Sequence, residues 1–219
     1  KLKEEMDLIV ITSNNACDDA IEYVAKSCNL KCLKGSENDV LERYFKCANY
    51  LKTKTIIRIT SDCPLIDPNE IKRVLDIHKM NKNDYTTNTF EGSSIVDGFD
   101  VEVFSFEALQ RAYLEATLPS EREHVTFYFK KENKFKIEYA DPKLDFPYTR
   151  LTLDTPKDFE AISNLIDKIQ DIETIKMKEI IKIFYNNKLN KINSSIYKNQ
   201  GWEKSFNEDK IFKKDLENK

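Results

Sequence analysis

Short apolar runs alternate along this chain with longer stretches whose apolar residues recur every three or four positions. Leu8-Ile-Val-Ile-Thr12 reads as a buried strand, and Asp18 to Ser27 sets Ala20, Ile21, Val24 and Ala25 on one helical face. A short strand through Lys31 to Lys34 stops at Gly35-Ser36. The helix from about Asp39 to Leu51 follows, with Val40, Leu41, Tyr44, Ala48 and Leu51 facing inward. The same order repeats with the strand Thr55-Ile-Ile-Arg-Ile-Thr60 and a helix from Pro68 to Met80, whose inner face is Ile71, Val74, Leu75 and His78. Strands separated by helices of about 10 to 15 residues predict βαβ units and a mostly parallel sheet.

The second half is less regular. Strands are expected at Tyr85 to Thr89, Asp100 to Phe104 and Lys136 to Tyr139, with a turn at Asp97-Gly98. Helices are expected over Ser105 to Ala116, from Ser120 onward, and from Met177 to Phe184, followed by a looser lysine- and asparagine-rich tail. The stretch Ile192 to Trp202 is too apolar for a free linker, so it is expected to pack on the body or on a second subunit. This divides the chain into an α/β domain at 1–187 and a C-terminal tail at 188–219.

Two segments share one device. Arg58-Ile-Thr-Ser-Asp-Cys-Pro-Leu-Ile-Asp-Pro68 carries a strand to Asp62 and then caps a helix, the pattern Asp67, Pro68 and Glu70 reading as a capping box. Arg150-Leu-Thr-Leu-Asp154 does the same, with Thr155-Pro-Lys-Asp158 capping the helix to about Lys168. Carboxylates at two strand ends of one sheet can converge where open α/β sheets bind ligands. Two hard oxygen donors suit Mg²⁺ that keeps waters and phosphate ligands. Each aspartate also has a plain structural role available, in a turn or in a helix cap.

Composition narrows the possible functions. Lys and Arg number 35 against 38 Asp and Glu, a net charge of −3, which argues against nucleic-acid binding. The five cysteines form no Cys-x-x-Cys pair and accompany only two histidines, so zinc and a disulfide framework are disfavoured and a cytoplasmic location is expected. No apolar run approaches the roughly 20 residues that cross a bilayer, so no membrane partner is expected.

Five segments together resemble the spore-coat-polysaccharide type of cytidylyltransferase, related to the CMP-Kdo and CMP-acylneuraminate synthetases. They are Gly35 to Tyr44, Arg58 to Asp67, Gly98 to Phe104, Ser120 to Thr126 and Leu151 to Pro156, in the family's order. The resemblance implies a nucleotide-diphospho-sugar-transferase-like (Rossmann-like) three-layer α/β fold with a mostly parallel mixed sheet. It implies Mg²⁺-dependent transfer of CMP from CTP to a sugar acid or phosphorylated acceptor, with release of pyrophosphate, in surface polysaccharide or glycan biosynthesis, and a possible homodimer. Asp62 and Asp154 become the metal carboxylates.

Ser36, Asp39 and Arg43 match a loop and helix start near nucleotide and acceptor, although Ser36 and Asp39 also make an ordinary helix N-terminus. Ser120 and Glu123 read as a capping box, which leaves Arg122 and His124 for the acceptor. Asp100 and Glu102 could hold acceptor hydroxyls or form the wet side of a strand. Arg150 could neutralise phosphate or pair with Asp154.

The family begins with a central strand and a basic loop resembling Arg-x-x-Ser-x-Arg-Leu-Pro-x-Lys, and nothing of that kind precedes Leu8. The expectation is a fragment whose strands around Leu8 to Ile11 and Ile56 to Ile59 lack a neighbour, and which binds CTP poorly by itself. A non-catalytic remnant binding a partner or nucleotide sugar, and a glycosyltransferase of similar fold, are the competing readings.

Overall fold

The computed structural model describes residues 6–131, 134–146, 149–196 and 200–217, with only the backbone of 200–203 and 217. Tyr197, the Trp202 side chain and residues 1–5 therefore lie outside the described residues. Two sheets carry the strands. β1 (Ile9–Ser13) pairs in parallel with β2 (Lys31–Gly35), linked by helix α1 (Asp19–Ser27). The second sheet has the order β3-β5-β4-β6, with β3 (Thr55–Arg58), β4 (Tyr85–Thr87), β5 (Glu102–Ser105) and β6 (Ile137–Tyr139). β5 runs antiparallel to both β3 and β4, while β6 is parallel to β4.

The fold is the layered α/β arrangement read from the sequence, with its mixed character concentrated at β5. β5 enters between β3 and β4 from the Asp97-Gly98 turn. Gly98 has φ +106, and a Cβ there would lie 2.5 Å from the Leu151 carbonyl oxygen, so glycine is required for this close approach.

Helices cover both faces. On one side α2 (Val40–Leu51) and α4 (Phe106–Glu115) pack on Ile56, Tyr85 and Phe104. On the other side α3 (Pro68–Asn81) packs Ile71, Val74 and Leu75 against Val101 and Val103. A third core gathers Phe99 and Leu151 with α6 (Pro156–Ile166) and α7 (Met177–Asn186). Burial of side chains of this size contributes about 1.5–3 kcal/mol each.

Three local expectations change. The capping box on α3 is absent: Asp67 accepts from the Asn69 N–H at 2.8 Å, but Glu70 turns inward to Arg73 and Asn88. The second Asp67 oxygen accepts from the Met177 N–H at 2.9 Å, so one carboxylate serves the starts of both α3 and α7. The Arg150–Asp154 segment forms a single parallel bridge, Asp97 to Arg150, in place of a full strand. The tail is not loose, because α8 (Gln200–Glu217) lies against α5 (Pro119–His124).

His78 is buried on α3, its Nδ1 3.1 Å from the Thr86 hydroxyl, and burial depresses its pKa below the ordinary 6.5. The unfolded chain therefore binds this proton more readily than the folded one, so stability falls as pH drops below about 6.5. Burial depresses the His124 pKa as well, which adds to the same slope. Urea unfolding between pH 7.5 and 5 should show this decline, and His78→Asn should flatten part of it; stability that rose on acidification would refute the assignment.

Candidate functional site

The carboxyl edge of the sheets is built by loops that leave β1, β2 and β3. Beyond β3, the chain Thr60 to Ile66 turns tightly, with the Cys63 N–H donating to the Thr60 carbonyl at 3.2 Å and the Ile66 N–H to the Cys63 carbonyl at 3.3 Å. Asp62 rides this turn, half-buried. The Leu153 N–H donates to the Asp62 carbonyl at 2.8 Å, and this backbone bond sets Asp154 beside Asp62. The structure thus brings the backbone of the Asp154 loop against that of the Asp62 turn.

Arg150 orients this edge. Its guanidinium donates to Asp154 at 2.5 Å, to both Asp158 oxygens at 3.0 and 3.1 Å, and to Asp97 at 3.3 Å. Burial opposes ionisation of Asp158, yet hydrogen bonds from Arg150, Asn193 and Thr155 outweigh it and hold its pKa below the usual range. Thr155 and Asp158 form the reciprocal capping box expected for α6. Asp154 accepts through one oxygen only; its other oxygen has no hydrogen bond among the described residues, and the side chain is 50% exposed.

This donor set fits a hard divalent cation. Burial, followed by the charges of Asp62 and Asp100, pushes the Cys63 thiol pKa upward, so the neighbouring sulfur stays protonated and is a poor ligand. Among the described residues no cluster of three or more His, Cys, Asp or Glu gathers, so a cation here would rest on two carboxylates, with phosphate and water completing its shell.

The remaining candidates divide. Arg43 lies at the start of α2, and a Cβ on Gly35 would come 2.7 Å from its Cγ, so the glycine lets Arg43 lie across the end of β2. Its Nε–H is buried with no acceptor among the described residues, as is that of Arg58, and both arginines line one cleft between β1 and β3. Arg58 was not among the residues singled out from the sequence. The signal lay in its position as the last β3 residue, an arginine ending an apolar run.

Glu102 is not on a wet face. It is buried, accepts from Arg58 at 2.6 Å and from the Tyr85 hydroxyl, and is pulled below the usual glutamate range by these partners against the effect of burial. Asp100 precedes β5 and lies close enough to Cys63 to influence its thiol.

Asp39 caps α2, accepting from the Glu42 N–H at 2.8 Å, while the Ser36 hydroxyl accepts from the Asp39 N–H at 3.2 Å. The other Asp39 oxygen binds Arg122 in an ion pair, with Arg122 also donating to the Tyr113 carbonyl at 2.8 Å. The Ser120–Glu123 capping box is corrected as well. α5 starts one residue earlier, at Pro119, and Glu121 reaches back to the N–H groups of Thr117 and Leu118. Ser120 instead donates its N–H and hydroxyl to Asp209 on α8, at 2.9 and 2.6 Å. His124 Nε2 is 2.8 Å from the Ser205 hydroxyl, which donates to Glu123 at 2.7 Å.

These contacts make Arg150 a structural keystone. Arg150→Met should cost about 3–5 kcal/mol because Asp97 and Asp158 stay buried without their cation. Asp154→Asn should cost under about 1 kcal/mol, since Asp154 is half-exposed. Chemical unfolding of the two variants tests this contrast, and equal losses would refute it.

Residues 1–196 match the family model described as cytidylyltransferase. An uncharacterized protein of Methanocaldococcus jannaschii is 34% identical over 200 residues, spanning 90% of this chain and 80% of its own length. The spore coat polysaccharide biosynthesis protein SpsF of Bacillus subtilis is 26% identical over 193 residues, spanning 84% of this chain and 77% of its own. Among solved structures, a cytidylyltransferase from Leptospira borgpetersenii serovar Hardjo-bovis superposes with a TM-score of 0.79 at 32% identity, covering 86% of this chain and 80% of that one. The family model over residues 1–196, the 34% identical relative and the solved structure together place this chain in the cytidylyltransferase family.

Proposed function

We propose that this chain transfers CMP from CTP to a sugar acid or phosphorylated acceptor, releasing pyrophosphate, and that the product feeds surface polysaccharide or glycan biosynthesis. The observation that carries the reading is the Leu153 to Asp62 backbone bond, which joins the turn that bears Asp62 to the loop that bears Asp154. The polysaccharide context rests on the likeness to SpsF. No helix among the described residues is long and apolar enough to cross a membrane, which accords with action on dissolved substrates; a cytoplasmic setting and a homodimer belong to the same proposal.

In this reading Asp62 and Asp154 would hold Mg²⁺, which would supply positive charge to offset that of the substrate phosphates. Arg150 orients the Asp154 carboxylate through one of its oxygens, and the other would be the oxygen offered to the metal. Arg43 and Arg58 supply guanidinium groups along the cleft, where Nε–H donors without acceptors suit phosphate oxygens. Glu102 holds Arg58 in position and so acts through it rather than on substrate. Arg122 and Asp39 hold α5 against α2, which fixes the wall that carries His124.

Pyrophosphate release from CTP with candidate sugar-acid and phosphorylated acceptors tests the proposal. Release should stop on chelation and return with Mg²⁺. Asp62→Ala should lower it by about a hundredfold or more with the unfolding midpoint unchanged. Release retained in that variant would overturn the metal assignment.

A further inference from the structure

The family match ends at residue 196 and α8 begins at Gln200, so the match by itself gives this helix no part in the site. Its side chains nevertheless engage α5 closely. Ser205 and Asp209, four positions apart and so on one helix face, are only 1% and 7% exposed. Asp209 accepts from the Ser120 N–H and hydroxyl, and Phe206 stacks on Phe127 with ring centres 5.6 Å apart. These contacts already pin α8 to its neighbour. The Ser205 hydroxyl adds something different, because it meets Glu123 and His124 at once.

Those two bonds fix a proton. A carboxylate only accepts, so the Ser205 hydroxyl spends its one hydrogen on Glu123 at 2.7 Å. The Ser205 oxygen then has only lone pairs to offer His124 Nε2 at 2.8 Å, and Nε2 must carry the hydrogen. Burial favours the neutral ring, which is thereby held in one orientation as the Nε2–H tautomer. His124 also stands close to the candidate site. Arg58, Glu102 and Lys130 all lie near enough to influence its charge, and Arg58 ends the strand that leads into the turn bearing Asp62. The next residue, Val125, is held at φ 59, a conformation costly for a β-branched side chain that persists only where the surroundings demand it.

We propose that Ser205 is a positioning residue: from α8 it holds the His124 ring, as the Nε2–H tautomer, on the side of the site that meets the sugar acid or phosphorylated acceptor. The tail helix is then a working part of the acceptor side, and its role there runs through one hydroxyl rather than through docking in general. This rests on the reading of Ser120 to Thr126 as the acceptor side and deepens it.

Ring-nitrogen NMR of the full chain tests this, since His78 and His124 are its two histidines and His124→Gln assigns the signals. Native His124 should be a single Nε2–H tautomer. Ser205→Ala should give a mixture of tautomers, whereas Asp209→Asn, which weakens docking of the same helix at Ser120, should leave one. Titration with N-acetylneuraminate, a sugar acid, and with glycerol phosphate should move the His124 signals and not those of His78 for at least one probe. Ser205→Ala should weaken that probe by about tenfold, the scale of one well-placed hydrogen bond. A tautomer mixture in the native chain, a single tautomer retained in Ser205→Ala, or a mixture produced equally by Asp209→Asn would overturn the proposal. So would indifference of His124 to both probes, or unchanged affinity in Ser205→Ala. Failure of the cytidylyl-transfer reading shows separately, as pyrophosphate release retained in Asp62→Ala, and leaves these spectra unaltered.

Discussion

One guanidinium holds the candidate site's edge together. Arg150 binds Asp97, Asp154 and Asp158 at once, and each carboxylate belongs to a different piece of structure: the turn before β5, the loop end beside Asp62, and the first turn of α6. Asn193 joins from the tail region, donating to the Arg150 carbonyl at 3.1 Å and to Asp158 at 2.9 Å. A cation surrounded by three anions in a partly buried place can be stable only because hydrogen bonds satisfy nearly every lone pair around it. The consequence is geometric: the 149–154 segment has almost no ladder of its own, yet Asp154 is fixed relative to Asp62.

The same separation of labour recurs elsewhere. Glu102 and Asp39 are both acidic groups near the cleft, and both spend their charge on an arginine, Arg58 and Arg122 respectively. Asp154 differs in having an oxygen to spare. Burial and partner count therefore distinguish scaffolding carboxylates from one available to a cation, where residue type and spacing alone could not.

Much of the fold was legible because its signals are local. The periodicity of α2, α3 and α6 and their caps at Asp39, Asp67 and Thr155 depend on residues a few positions apart. The readings that changed involve a distant partner. Glu70 abandons its cap for Arg73 and Asn88, and Ser120 bonds Asp209, 89 residues away. No local pattern announces such a competitor. α8 was hidden for a related reason, since its lysine-rich sequence has little apolar periodicity and its docking rests on Ser205, Phe206 and Asp209 meeting α5 and Phe127. That the Asp62 turn and the Asp154 loop meet was legible because both close the same motif, while the Arg150 hub appeared only once Asp97 was brought alongside.

Val125 shows what the packing is strong enough to impose. It is fully buried at φ 59 and ψ −59, a region costly for a β-branched residue, and the Thr126 N–H closes onto the His124 carbonyl in a strained three-residue turn. Such a turn costs of order 1–3 kcal/mol and persists only where the surroundings demand it. Here they do so from two sides. His124 is drawn outward to Ser205 on α8, while Thr126 is held inward, within hydrogen-bonding reach of Glu102. A relaxed turn would release one of the two. The turn therefore lies between the tail helix, which holds His124, and Glu102, which Thr126 approaches.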